Sequence, residues 1–222
     1  MTTSFRLGLA GLLAATMFSP AVAQSYFSGP TGYQAGDVLV HASVIGVIPE
    51  DFNSHVRVGQ GVVSGEHVSV SAGISPEVDG SYFFTPSLSL EVIAATTRHN
   101  VKITGPANLK IGSSWVLPPT VTLQYHLPII DGIRPYAGLG LTVAFFYDPH
   151  AAAGWSKVGG FSTGIGPSLD AGFDVPITGN WFANVDVKQI FIVTGTHVNH
   201  GFAGAVTELD PTVVGAGVGY LF

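Results

Sequence analysis

The chain has 222 residues, 46% of them hydrophobic and only 10% charged, with a formal net charge of −6 and no cysteine. Soluble domains carry about 25% charged residues, and the acidic balance argues against nucleic acid as a partner. Without cysteine, a disulfide framework, a thiolate zinc site and a cysteine nucleophile are excluded together.

The first 23 residues hold one positive charge at Arg6, an apolar stretch over residues 7–18 and the small-residue triplet Ala21-Val22-Ala23. This reads as a secretory signal peptide cut before Gln24, because the apolar stretch is well short of the roughly 20 residues that a helical span needs. Cleavage removes Arg6 and no acid, leaving 7 basic against 14 acidic residues over 24–222, a balance of −7. No later apolar run approaches 18 residues, so a helical membrane protein is excluded. No linker divides the mature chain, which reads as one domain.

Turn signals then cut the chain into eight extended segments, near 36–48, 70–84, 88–103, 117–128, 133–147, 161–176, 181–194 and 210–222. Three connections are short: Thr85-Pro86-Ser87, Ile130-Asp131-Gly132 and Ile177-Thr178-Gly179-Asn180. The other four, near 49–69, 104–116, 148–160 and 195–209, are longer and richer in glycine, histidine and polar residues. Short and long connections alternate strictly. That pattern predicts an all-β fold, an eight-stranded antiparallel transmembrane β-barrel with short periplasmic turns and longer extracellular loops.

Side chains alternate across a strand, so each segment assigns its own faces. In the third, Leu88, Leu90, Val92 and Ala94 oppose Ser89, Glu91, Ile93 and Ala95. The fourth sets Val121, Leu123, Tyr125 and Leu127 against Thr120, Thr122, Gln124 and His126. In the fifth, Pro135, Ala137, Leu139, Leu141, Val143 and Phe145 oppose Arg134, Tyr136, Gly138, Gly140 and Thr142. The sixth sets Ile165, Pro167, Leu169, Ala171, Phe173 and Val175 against Gly164, Gly166, Ser168, Asp170, Gly172 and Asp174. The last segment ends the chain with Thr212, Val214, Ala216, Val218, Tyr220 and Phe222 on one face and Val213, Gly215, Gly217, Gly219 and Leu221 on the other. Every charge in these strand cores falls on the interior face, and a one-residue slip would turn them all to lipid. A soluble β-sandwich or lipocalin-like barrel is the competing reading, with the apolar face as its core. Aromatics near strand ends fit two interfacial belts: Tyr82, Phe84, Tyr125, Trp181, Tyr220 and Phe222 low, Phe145, Tyr147, Trp155 and Phe161 high.

Several stretches resemble the outer membrane protein W (OmpW) family. They are Leu117-Pro118-Pro119-Thr120 with Gln124-Tyr125, Arg134-Pro135-Tyr136-Ala137-Gly138-Leu139-Gly140, Phe145-Phe146-Tyr147-Asp148, Glu91-Val92-Ile93-Ala94-Ala95-Thr96, Asn180-Trp181 and the terminal Gly219-Tyr220-Leu221-Phe222. The likeness runs through essentially the whole mature chain. It departs most in the second segment, where Gly73, Pro76, Glu77, Asp79 and Gly80 make a poor lipid-facing strand. The resemblance implies a monomeric barrel of Gram-negative outer membranes, embedded in outer-membrane lipid, with a narrow, partly hydrophobic interior. It further implies passage of small hydrophobic compounds and a C-terminal signal at Gly217, Tyr220 and Phe222 for the barrel-assembly machinery.

With that topology the interior sorts by height. Asp37, His41, Glu91, Arg134, Asp170, Asp174, Asp186 and Lys188 gather toward the periplasmic end with Ser89, Gln124, His126 and Tyr136. An eight-stranded interior is filled by side chains, so this set reads as a polar plug rather than an ion-conducting path. Ile45, Val47, Ile93, Phe146, Ile190, Ile192 and Val213 lie toward the outside. They form either ordinary core under closed loops or an apolar funnel for hydrophobic ligands. Above a polar plug, the cheaper exit for such a ligand is sideways into lipid, where Pro76, Pro167, Pro118 and Pro119 remove ladder donors. The alternative function is a structural or interaction barrel whose extracellular loops bind a partner and whose lumen is filled.

Other chemistry is thin. His197 and His200, with His150 or Glu208, have the residue types of a metal site but read as solvated loop histidines, and neither metal nor cofactor is expected. No phosphate loop or nucleophile elbow is present, and no outward-facing set of serine, histidine and acid stands out, so no catalytic residues are assigned and no enzyme is expected.

Overall fold

The computed structural model describes residues 32–58, 61–62, 65–106, 108–152, 158–198 and 203–222. The signal-peptide expectation for residues 1–23 and the belt position of Trp155 lie outside these residues.

Eight strands close the barrel: β1 Val38–Ile48, β2 Gly73–Thr85, β3 Leu88–Ala95, β4 Thr120–His126, β5 Arg134–Ala151, β6 Gly164–Thr178, β7 Trp181–Ile190 and β8 Thr212–Leu221. Each pairs antiparallel with its sequence neighbour, and the sheet closes where β1 meets β8, with Leu39 opposite Leu221 and Val47 opposite Val213. Closure removes the unpaired edges that a bilayer would punish. Both chain ends of the barrel therefore stand at the same rim as the three short turns. Asp131 and Gly132 take positive φ in one of these, and Gly179 in another.

The outer wall is apolar. Ile74, Val78, Leu139, Leu141, Ile165 and Phe222 are among its most exposed side chains, while Glu77, Asp79, Glu91, Arg134, Asp170, Asp174, Asp186 and Lys188 are buried inside. In β2, the strand of least certain register, Ile74, Pro76, Val78, Tyr82 and Phe84 face out while Ser75, Glu77, Asp79, Ser81 and Phe83 face in. The carboxylates decide that register, because the other choice would set two of them in hydrocarbon.

The long connections are more ordered than expected. Residues 104–116 read as a loop, yet Thr97–Thr104 and Leu109–Leu117 form a hairpin that also pairs with the upper part of β5. The strand alternation simply continues there, with Val101 and Ile111 buried and Arg98, Lys102 and Lys110 exposed. Gly105 and Asn108 turn the chain with positive φ. Asp51–Val58, Gly61–Val62, Val158–Phe161, Ile192–Val198 and Ala203–Leu209 form a second, five-stranded sheet from the other connections.

Candidate functional site

The interior has three layers, where the sequence suggested two. At the periplasmic rim Tyr33, Leu39, Phe83, Phe182 and Leu221 pack into a buried apolar floor. Tyr33 comes from the segment before β1 and enters the lumen, its ring centroid 4.2 Å from Phe83 and 5.3 Å from His126. The lumen is therefore not polar to its lower end. Strand parity already put Leu39, Phe83 and Leu221 inside, but Tyr33 precedes any periodic segment and no pattern marks it. Asp37 also differs from its assignment to the plug. It is partly exposed at the rim, where its carboxylate accepts the Gln34 N–H at 2.7 Å and so closes a turn.

Above the floor lies the polar layer, which brings together the other seven residues expected there. His41 bridges two strands, with Nδ1 donating to Asp79 at 2.8 Å and Nε2 to Asp174 at 3.1 Å. Asp174 also accepts the Tyr33 hydroxyl at 2.7 Å and the Asn184 amide at 2.9 Å. Lys188 donates to Glu77 at 3.1 Å and to Asp186 directly. Gln124 donates to Asp170 at 2.7 Å. Arg134 donates to the Pro86 carbonyl at 2.9 Å and covers the Tyr33 ring at 4.0 Å. Six carboxylates, Glu77, Asp79, Glu91, Asp170, Asp174 and Asp186, thus share the layer with His41, Arg134 and Lys188. Glu91 has no ion-pair partner among the described residues, and its Oε2 atom is buried without a hydrogen bond.

The third layer is apolar. Ile45, Val47, Ile93, Phe146, Ile190, Ile192 and Val213, spread over five segments of the sequence, line one cavity of about 100 Å³, several times what one water molecule requires. Val70, Ala95, Val101, Val116 and Ala144 add to its apolar walls, Thr97, His99, Ser114 and Thr120 are its few polar neighbours, and Glu77 and Lys188 mark the polar layer beneath it. Missed by the sequence reading, Val70, Val101 and Val116 belong to segments taken as loop or strand end. Continued alternation was the signal that could have placed Val101 and Val116.

Beside this cavity the wall is interrupted twice. The β3–β4 ladder ends at Ile93 opposite Thr120 and resumes above at Thr97 opposite Val116, with Pro118 and Pro119 in the gap. The β2–β3 ladder ends at Glu77 opposite Ala95 and resumes at Val70 opposite Val101, with Pro76 in the gap. Prolines lack the N–H that a ladder needs. Both gaps border residues 94–99. Pro167, by contrast, lies in a continuous ladder opposite Leu141.

His99 borders the second gap. Its Nδ1 donates to the Ser71 carbonyl at 2.7 Å, and in the neutral ring that burial favours Nε2 accepts from the Thr97 hydroxyl at 2.8 Å. Burial holds this imidazole below its ordinary value, offset in part by the Ser71 contact. The unfolded chain therefore takes up the proton more readily. The contribution of His99 is complete above its ordinary value of about 6.5 and falls as pH drops through the lower folded value. Acidification from about pH 7.5 to about pH 5 should speed amide exchange over residues 97–104, and His99→Gln should flatten that dependence. An unchanged pH response in the variant would exclude His99 as its source.

The terminal residues set aside as an assembly signal also have a packing role. A Cβ on Gly217 would lie 2.2 Å from Ser43 Oγ and 2.4 Å from the Ala42 carbonyl, so only glycine lets β8 approach β1 there. Tyr220 packs edge-on against Trp181 and Phe222, and Phe222 is 71% exposed on the lipid-facing wall. Replacing Phe222 with Asp is expected to lower the amount of folded protein in the outer membrane, measured by heat-dependent gel mobility of membrane fractions. Equal levels of variant and parent would remove the C-terminal aromatic from the account of assembly.

An apolar outer wall, a closed eight-stranded ladder and charges confined to the lumen define a small outer-membrane β-barrel. The chain belongs to the OmpW family, whose profile matches residues 34–222. It is 35% identical to the outer-membrane protein y4mB of Sinorhizobium fredii over 215 residues, 96% of this chain and 90% of that one. It is 29% identical to outer membrane protein W of Vibrio cholerae, over 93% of this chain and 99% of the relative. Among solved structures, the outer membrane protein OprG from Pseudomonas aeruginosa superposes with a TM-score of 0.81 at 25% identity, covering 86% of this chain and 98% of that chain.

Proposed function

We propose that this barrel is a passive conduit for small hydrophobic molecules, which enter the apolar cavity from outside and leave laterally into the membrane. The observation that carries the reading is the stacking of an almost wholly apolar cavity on a polar layer and an aromatic floor. A hydrophobic solute gains by entering the cavity and loses by going further down, since the next groups are charged and hydrogen-bonded to one another. The two ladder interruptions at residues 94–99 offer a sideways path to lipid at the same height. Membership of the OmpW family supports the same reading through the hydrophobic transport its resemblance implies.

The test is uptake of a lipophilic fluorescent dye by cells that carry or lack the chain, with the dye presented from the outside. Faster uptake with the chain supports the conduit. Equal uptake favours the alternative, a structural or interaction barrel whose loops bind a partner.

A further inference from the structure

We infer that the outer wall of the hairpin formed by Thr97–Thr104 and Leu109–Leu117 is a binding site for the phosphate groups of the outer-leaflet glycolipid. Among the residues whose side-chain burial is described, the lysines and arginines are Arg98, Lys102, Lys110, Arg134 and Lys188, and the last two are buried in the lumen. The three exposed ones of this set all sit on this hairpin. In a chain with a net charge of −6, three cations share this one outer face.

Register places them on the membrane side. Arg98 is opposite Trp115, Asn100 opposite Ser113 and Lys102 opposite Lys110, while Thr97, His99 and Val101 between them are buried toward the interior. Trp115 stacks on Tyr147 with centroids 6.3 Å apart, and the Arg98 guanidinium lies 5.9 Å above the Trp115 ring and donates to Ser113 Oγ at 3.0 Å. Stacked aromatics of this kind mark the membrane–water boundary. Lys102 lies four residues further along the strand, roughly 13 Å beyond Arg98, where headgroups and not acyl chains are found. Beside these residues is an open depression of about 440 Å³, where Asn100, Lys102, Lys110 and Ser113 stand among apolar neighbours that include Val101 and Ala151.

The donor set fits phosphate. Lysine ammonium groups supply compact charges, and an arginine fork, aimed and held by Ser113, matches phosphate oxygens in plane. Asp148 brings a carboxylate to this face, 3.8 Å from His150. The outer leaflet of a Gram-negative outer membrane presents diphosphorylated glucosamine at this height, so the occupant is lipid rather than a soluble anion.

The mature chain, reconstituted into phosphatidylcholine nanodiscs doped with lipid A, dephosphorylated lipid A or phosphatidylglycerol, tests this by native mass spectrometry of the bound lipid. Lipid A is expected to be retained over the other two. The triple variant Arg98→Gln, Lys102→Gln, Lys110→Gln should weaken it roughly a hundredfold, since each basic group at an anionic surface contributes about fivefold. The double variant Lys102→Gln, Lys110→Gln should fall between. Heat-dependent gel mobility verifies that each barrel is folded. Equal retention of phosphatidylglycerol or of the dephosphorylated lipid, or full retention of lipid A by the folded triple variant, overturns the assignment.

Discussion

Replacing Ile190 with Asp should sharply reduce the passage of hydrophobic solutes while leaving the barrel in the membrane. Ile190 is buried in the cavity wall beside Ile45, Ile192 and Val213. The exchange removes an aliphatic surface and puts a hydrated carboxylate in its place. Losing the contact of one such side chain costs about 1.5–3 kcal/mol of apolar transfer energy, roughly tenfold to a hundredfold in occupancy by a ligand. Phe146→Asp, in the same cavity lining, should act in the same direction. Both are read as initial dye flux into liposomes per folded barrel. If flux is unchanged in both, the cavity is ordinary core and the conduit reading falls.

Replacing Lys188 with Met is expected to destabilise the barrel by about 3–5 kcal/mol, because Glu77 and Asp186 are then buried together without a cation. Lys188 reaches both carboxylates from a position that is almost wholly buried. Urea unfolding from lipid vesicles measures the loss, and neutralising the two acids as well, with Glu77→Gln and Asp186→Asn, should restore most of it. Glu91→Gln works the other way. It removes a carboxylate from a layer in which six face three cations, and should raise the unfolding midpoint. Set beside Ile190→Asp, these variants separate route from scaffold: folded Lys188→Met barrels should pass hydrophobic solutes as the parent does. Flux that follows the Lys188 exchange and ignores the Ile190 one would place the path through the floor and overturn lateral release.

Much of this molecule is determined by its sequence alone. A charge inside a bilayer-spanning strand must point to the lumen, so the parity of Glu91, Asp170 and Lys188 determines the register of whole strands. Period-two alternation and the order of short and long turns then set strand number and closure, and the same parity places Ile45, Ile93, Ile190 and Val213 inside at the outer end. These rules are local. Each needs only the residue, its neighbours two positions away and the cost of burying it wrongly.

Tertiary structure alone decided what those inward residues meet. That His41 joins Asp79 to Asp174, and Lys188 joins Glu77 to Asp186, depends on the stagger of strands far apart in sequence. Tyr33 enters the floor from a segment without periodicity, and Asp37 leaves the plug to cap a turn, because the chain must still bend into β1. Residues 104–116 of the hairpin over 97–117 were hidden by polar and glycine residues that read as loop. Above the bilayer the exposed face of a strand is polar, so the hydrophobic contrast that reveals strands within the membrane disappears. The gaps beside residues 94–99 arise for a related reason: prolines mark where donors are missing, but only pairing across the closed sheet shows which absences open the wall.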